Sequence, residues 1–210
     1  MNLRHPARAD GRLLHARSQA LPLTLASLLC AAAAAAWGGH LLQERLGYGN
    51  NARVPVVVLA PLLVAAAVGT GLHSHSDELD RTAVRPWWPR RAAQLVALTA
   101  LAAGLLALAL PGFPARFGAA AVVRNVLGDV GLAAGAAALI GARLSWLPVT
   151  VYAGAVYLAA PARPGGSSAV WAWAMQPGPQ GAAWAVAAAL FVCGGALYAS
   201  CGARPDGARD

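Results

Sequence analysis

The sequence contains no lysine, and all 16 basic residues are arginine. That absence excludes a P-loop, whose lysine must reach nucleotide phosphates, and an enzyme working through a Schiff-base lysine. Nucleotide-driven work would draw on a site carried by another chain. Charge of either sign is scarce, at 11% of 210 residues against roughly a quarter in soluble domains. So few charges cannot coat a water-exposed globule. Cysteine numbers 3, and Cys30, Cys193 and Cys201 lie in or beside apolar runs without paired spacing, which excludes a disulfide scaffold and a zinc ribbon. No His-x-x-x-His pair on an apolar helix, no Gly-x-Ser-x-Gly and no arginine-rich span is found, so metalloprotease, serine hydrolase and voltage sensor drop out. The chain reads as a non-enzyme that needs no cofactor.

What is present is hydrophobic. Such residues make up 58% of the chain, with about a quarter alanine, 23 Gly and 14 Pro, a composition that fits a GC-rich bacterial genome. A bilayer core needs about 20 mostly apolar residues per helix. Six segments meet or approach this: Leu21–Trp37, Val54–Leu72, Ala92–Leu110, Ala119–Gly141, Leu144–Ala160 and Ala182–Ser200. The fold class expected is all-α, a polytopic membrane bundle of about six transmembrane helices in a bacterial cell membrane. Residues 1–20 form an N-terminal tail, 21–200 the membrane domain and 201–210 a C-terminal tail. The alanine string Ala31–Ala36 would offer a signal-peptidase site, but five further spans make the first helix a retained one.

Arginine placement sets the orientation. The tails, the 72–91 loop and the Arg143 turn hold Arg4, Arg8, Arg12, Arg17, Arg81, Arg85, Arg90, Arg91, Arg143, Arg204 and Arg209. The opposite segments hold only Arg45, Arg53, Arg116 and Arg163. Both termini are therefore expected in the cytoplasm. The net charge of +8 reads as contact with anionic headgroups of the lipid bilayer, with no nucleic-acid partner.

Three places carry the candidate chemistry. The 73–85 loop is the densest polar stretch: Ser76 can cap a short helix, and Asp77, Arg81 and Arg85 share one face at intervals of four. With Glu78 and Asp80, these residues read either as a solvated loop or as a docking helix for a cytoplasmic partner. His73 and His75 beside the carboxylates leave a metal reading open. The fourth span contains Arg124, Asn125 and Asp129, where an ionised group costs at least about 2.5–3.5 kcal/mol. Arg124 and Asp129 point to faces about 140° apart, whereas Asn125 and Asp129 share a face. They read either as a polar translocation path or as a pair in which Arg124 reaches outer headgroups and Asp129 bonds a neighbouring helix. Gly128, Gly131 and Gly135 allow close helix approach along that span. In the 161–181 loop, Trp171 and Trp173 read as a belt at the outer interface or as a short re-entrant gate.

This layout resembles the membrane subunit of an ATP-binding-cassette exporter, the type-two permease family, in its compact actinobacterial form. The resemblance rests on the six spans, on Asp77-Glu-Leu-Asp-Arg81 between spans two and three, and on Arg124-Asn125 opening span four. Arg143-Leu-Ser-Trp146 leading into span five and Trp171-Ala-Trp173 with Gln176-Pro177 before span six complete it. It implies an ATPase subunit as partner, docked on the loop between spans two and three, a homo- or heterodimer of permeases, and an outer segment dipping into the membrane between spans five and six. Two other readings stand beside it: the six-span substrate-binding subunit of an energy-coupling-factor importer, and a non-transporting membrane scaffold or immunity protein.

Overall fold

The structure is a computed structural model that describes residues 21–44, 53–72, 87–109, 118–160 and 165–205, and among these every regular element is helical. In chain order they are α1 (Leu21–Glu44), α2 (Arg53–Gly71), α3 (Trp88–Ala109), α4 (Ala119–Ile140), α5 (Trp146–Ala159), the single turn α6 (Ser168–Trp171) and α7 (Gly181–Cys201). One 3₁₀ turn, Ala142–Leu144, joins α4 to α5, and another, Trp173–Met175, follows α6. Four helices are long and apolar enough to cross a bilayer: Pro22–Leu41 within α1, and α3, α4 and α7.

The other two expected spans are shorter. In α2 the apolar stretch is Val56–Gly71. Helix α5 has 14 residues, about 21 Å of rise against a hydrocarbon core of about 30 Å. Its N-terminal limit has a local cause. Gly141 takes φ 97°, a backbone region that side chains avoid, and the 3₁₀ turn that follows takes in Leu144, the residue expected to open the fifth span. The first helix runs beyond the expected Trp37 to Glu44, and the third begins at Trp88, where Pro89 suits a first helical turn.

Helix α4 is the centre of the bundle and packs against α2, α3, α5 and α7, most extensively on α7. Its small side chains make this possible: Ala121, Val122, Val126, Val130, Ala133, Ala134 and Ala137 are all fully buried. A Cβ at Gly131 would run into the Leu190–Phe191 backbone, and one at Gly194 would run into the Gly131 carbonyl. Close approach of α4 and α7 thus depends on glycine from both sides. The surface is the reverse of a soluble protein, with Leu158 89%, Leu108 79% and Leu23 74% exposed. Leucines turned outward on this scale suit a hydrocarbon solvent.

Neighbour contacts fix the helix directions. Val57 lies by Asn125 and Gly69 by Ala133, so α2 runs parallel to α4. Gly131 meets Phe191 and Gly135 meets Gly194, so α7 is parallel as well. Gly71 meets Thr24, and Leu95 meets Gly195, so α1 and α3 run the opposite way. The start of α1, the end of α2, the start of α3 and the ends of α4 and α7 therefore gather at one end, together with Arg90, Arg91, Arg143 and Arg204. At this end the Arg204 backbone N–H donates to the Ala137 carbonyl at 2.9 Å, which also accepts from the Gly141 N–H at 3.1 Å, and its Nη1 donates to the Leu139 carbonyl at 3.2 Å, tying the chain after α7 to the end of α4.

Candidate functional site

The buried polar groups collect toward the opposite end, where the 165–178 segment folds back along α4. Arg124 and Asn125 are 0% exposed and Asp129 is 3% exposed. Arg124 does not extend to the outer surface, as one reading of the sequence has it. It turns inward, because the fold offers it oxygen atoms there. Its Nη2 donates to the Gln176 carbonyl at 2.7 Å and its Nη1 to the Pro177 carbonyl at 2.8 Å. Nε and Nη2 also donate to Asn125 Oδ1, at 3.1 and 3.0 Å.

Those last two bonds orient the Asn125 amide. With Oδ1 occupied by the guanidinium, Nδ2 donates to the carbonyls of Val57 at 3.0 Å and Ala174 at 2.8 Å. Val57 needs such a donor. Pro61, inside α2, has no N–H, so the carbonyl four residues before it loses its helical partner. Asn125 therefore fills a gap that proline opens in the neighbouring helix, which is how membrane helices tolerate proline.

The 165–178 segment has little regular structure and is held by side chains. Gln176 Oε1 accepts from the Gly165 N–H at 2.9 Å, while its Nε2 donates to the Ser168 carbonyl at 3.3 Å and the Ala172 carbonyl at 3.4 Å. Ser168 Oγ donates to the Gly165 carbonyl at 2.7 Å, and Trp184 Nε1 to the Gly178 carbonyl at 2.8 Å. The Ala174 N–H donates to the Tyr152 hydroxyl oxygen at 3.5 Å. Trp171 is 42% exposed, as an interface tryptophan would be, but Trp173 is only 2% exposed. A belt position for Trp173 is thereby corrected. Its ring stacks on Tyr152 with centroids 5.4 Å apart and covers Gly128, where a Cβ would come within 2.6 Å of Cζ3. Gly128 is nine residues beyond Ala119, so the ring reaches about 14 Å along α4.

One turn beyond Asn125 on the same face stands Asp129. Among the described residues no group hydrogen-bonds its carboxylate. The three polar residues of the fourth span thus divide: Arg124 and Asn125 are spent on backbone carbonyls, while Asp129 is not. A buried carboxylate with spare acceptor oxygens can take a proton, a cation or a donor group brought by a solute.

Tyr152 escaped the sequence reading. Pro61 carried a usable signal, since an internal proline announces an orphan carbonyl at position 57. Asp77, Glu78, Asp80, Arg81 and Arg85, with His73 and His75, lie outside the described residues. Among the described residues no cluster of three metal-ligating side chains occurs. Comparison with protein families, with characterised proteins and with solved structures yields no match for this chain.

Proposed function

We propose that this chain is the permease subunit of an ATP-driven transporter, crossing a bacterial cell membrane six times with both termini in the cytoplasm. The observation that carries the reading is Asp129: a buried carboxylate without a hydrogen bond among the described residues, on the central helix, beneath a segment of short helical turns folded in from one end. A solute path of this kind needs polar acceptors at depth and a closure above them, and the 165–178 segment supplies the closure. Two further features support it. The helix ends gathered with Arg90, Arg91, Arg143 and Arg204 match the positive-inside pattern. The absence of lysine leaves nucleotide hydrolysis to a separate ATPase.

The ATPase docks on Asp77, Glu78, Asp80, Arg81 and Arg85, and the permease works as a homo- or heterodimer. The test is co-purification with the ATPase and measurement of ATP turnover by the complex. Reversing Asp77, Glu78 and Asp80 together should release the ATPase while leaving the spans folded, since surface charge changes cost little stability. An intact complex after the triple reversal removes this loop as the docking site. Cysteine labels at Ser74 and Ser167 should react from opposite faces, and labelling of both from outside would end the six-span topology.

A second reading, a membrane scaffold without transport, draws support from Arg124 and Asn125, whose polar atoms are bonded to one another and to backbone carbonyls. Such a network needs no solute to explain it. The two readings part at Asp129.

A further inference from the structure

We propose that the trough between α3 and α7 is a binding site for one anionic phospholipid, with an acyl chain in the trough and the phosphate at its arginine-bearing end. The inference rests on the membrane reading of the helices and not on transport. The trough encloses about 330 Å³, within the roughly 300–1,000 Å³ of small-molecule sites. Ala92, Leu95 and Val96 form one wall and Gly195, Ala196 and Ala199 the other, with Trp88 at the mouth. The sequence causes the vacancy. Small residues at 195, 196 and 199 share a face of α7, and opposite them Ala92 is too short to fill the gap left beside Leu95. Apart from Ser200 the lining side chains are apolar, so the occupant of the trough must be hydrocarbon as well.

Charge then selects the kind of lipid. Arg91 lies on the α7-facing side of α3, one turn after Trp88, and its guanidinium packs over Gly202, where a Cβ would lie 2.8 Å from Nη1. Gly202 follows Ala199 by three residues, so the guanidinium stands where the trough ends. Arg90 lies beside it with its guanidinium 4.9 Å from the Trp87 ring centroid, and Arg204 follows α7 with its side chain exposed. An acyl-sized apolar channel ending in arginines, with a tryptophan at the mouth, complements a lipid with an anionic headgroup. Arginine is suited to phosphate oxygens because its fork presents paired donors.

The experiment uses the full chain, purified in mild detergent and mixed with phosphatidylglycerol or phosphatidylcholine of identical acyl chains, and native mass spectrometry counts retained lipid. One phosphatidylglycerol should be retained over phosphatidylcholine by about tenfold or more. Ala196→Phe, whose ring fills the trough from its exposed side, should bring retention down to the phosphatidylcholine level. Arg90→Gln with Arg91→Gln should abolish the headgroup preference while leaving chain-dependent retention, and the single Arg90→Gln, which leaves the Gly202 packing intact, should reduce it. Equal retention of the two lipids, or unchanged retention in Ala196→Phe, overturns the proposal. So does a dimer in the wild type that Ala196→Phe dissociates, since a second copy would then be the occupant.

Discussion

Asn125 on α4 supplies the hydrogen bond that Pro61 removes from α2: its Nδ2 lies 3.0 Å from the Val57 carbonyl, four residues before the proline. The same amide reaches the Ala174 carbonyl and accepts from Arg124, so one side chain joins two helices and the 165–178 segment. In hydrocarbon an unmade backbone bond has no water to fall back on. The Arg124–Asn125 pair therefore costs less buried than its charge alone suggests, because it supplies donors to the Val57, Ala174 and Gln176 carbonyls.

This linkage is measurable as a coupling. Asn125→Leu should destabilise the purified protein by about 1–3 kcal/mol, the cost of leaving buried acceptors unpaired. Pro61→Ala restores an N–H to the Val57 carbonyl, so the Asn125→Leu penalty should shrink in the Pro61→Ala background, with a coupling of about 0.5–3 kcal/mol. Denaturant titration in mixed micelles reads both values. Strict additivity would sever the proposed connection between the two positions.

Arginine geometry at position 124 should not be replaceable by lysine. The guanidinium serves the Gln176, Pro177 and Asn125 oxygens from three nitrogens at once, and an ammonium is a single point on a flexible stem. Arg124→Ala should cost about 3–5 kcal/mol, as removal of one side of a buried charged network does, and Arg124→Lys should recover only a minor part. Loosening of the 165–178 segment should appear first, as faster thiol labelling at Ser167→Cys in a chain whose three native cysteines are replaced. Wild-type labelling in Arg124→Lys would show that charge, and not the fork, holds the segment.

The Trp173 ring and Gly128 predict a size-dependent exchange. Gly128→Ala places a methyl group into the ring and should cost about 1–3 kcal/mol through overpacking. Trp173→Phe makes room, so the double variant should be more stable than Gly128→Ala alone. Gly154 provides the contrast, since its Cβ would meet nothing; Gly154→Ala should be neutral or stabilising by up to about 1 kcal/mol. Thermal unfolding midpoints rank the variants, and equal losses at 128 and 154 would point to backbone effects in place of ring packing.

The helices were legible in the sequence because twenty apolar residues without charge have few other uses. Arg124, Asn125 and Asp129 were legible as exceptions to that rule. Their partners were mostly not: Pro61 marks the Val57 carbonyl, but the carbonyls of Ala174, Gln176 and Pro177 leave no mark on composition. Trp173 was open to misreading for a related reason: a tryptophan beside prolines fits an interface belt, and only its position against Gly128 and Tyr152 turns it inward. The glycines of α4 announced close packing correctly but not its division, with Gly131 and Gly135 serving α7 and Gly128 serving an aromatic ring. Helix α5 starts at Trp146, two residues after the expected Leu144, because the 3₁₀ turn that follows Gly141 takes in Leu144.

Asp129→Asn separates transport from scaffolding. The carboxylate makes no hydrogen bond among the described residues, so its replacement by an amide of the same shape breaks none. Asparagine keeps the shape and takes an ionisable group out of the apolar interior, so stability should stay unchanged or rise, in contrast to Arg124→Ala, and the unfolding midpoint reads this directly. Under the transport reading, Asp129→Asn should insert and assemble with the ATPase normally yet lose the increase in ATP turnover that accompanies solute passage. Asp129→Glu, which keeps the charge on a longer arm, should retain part of that increase. A destabilised Asp129→Asn variant would mean that the carboxylate has a structural partner outside the described residues. A stable variant with full turnover and transport would take Asp129 out of the solute path and leave the bundle as a scaffold built around the Arg124–Asn125 network.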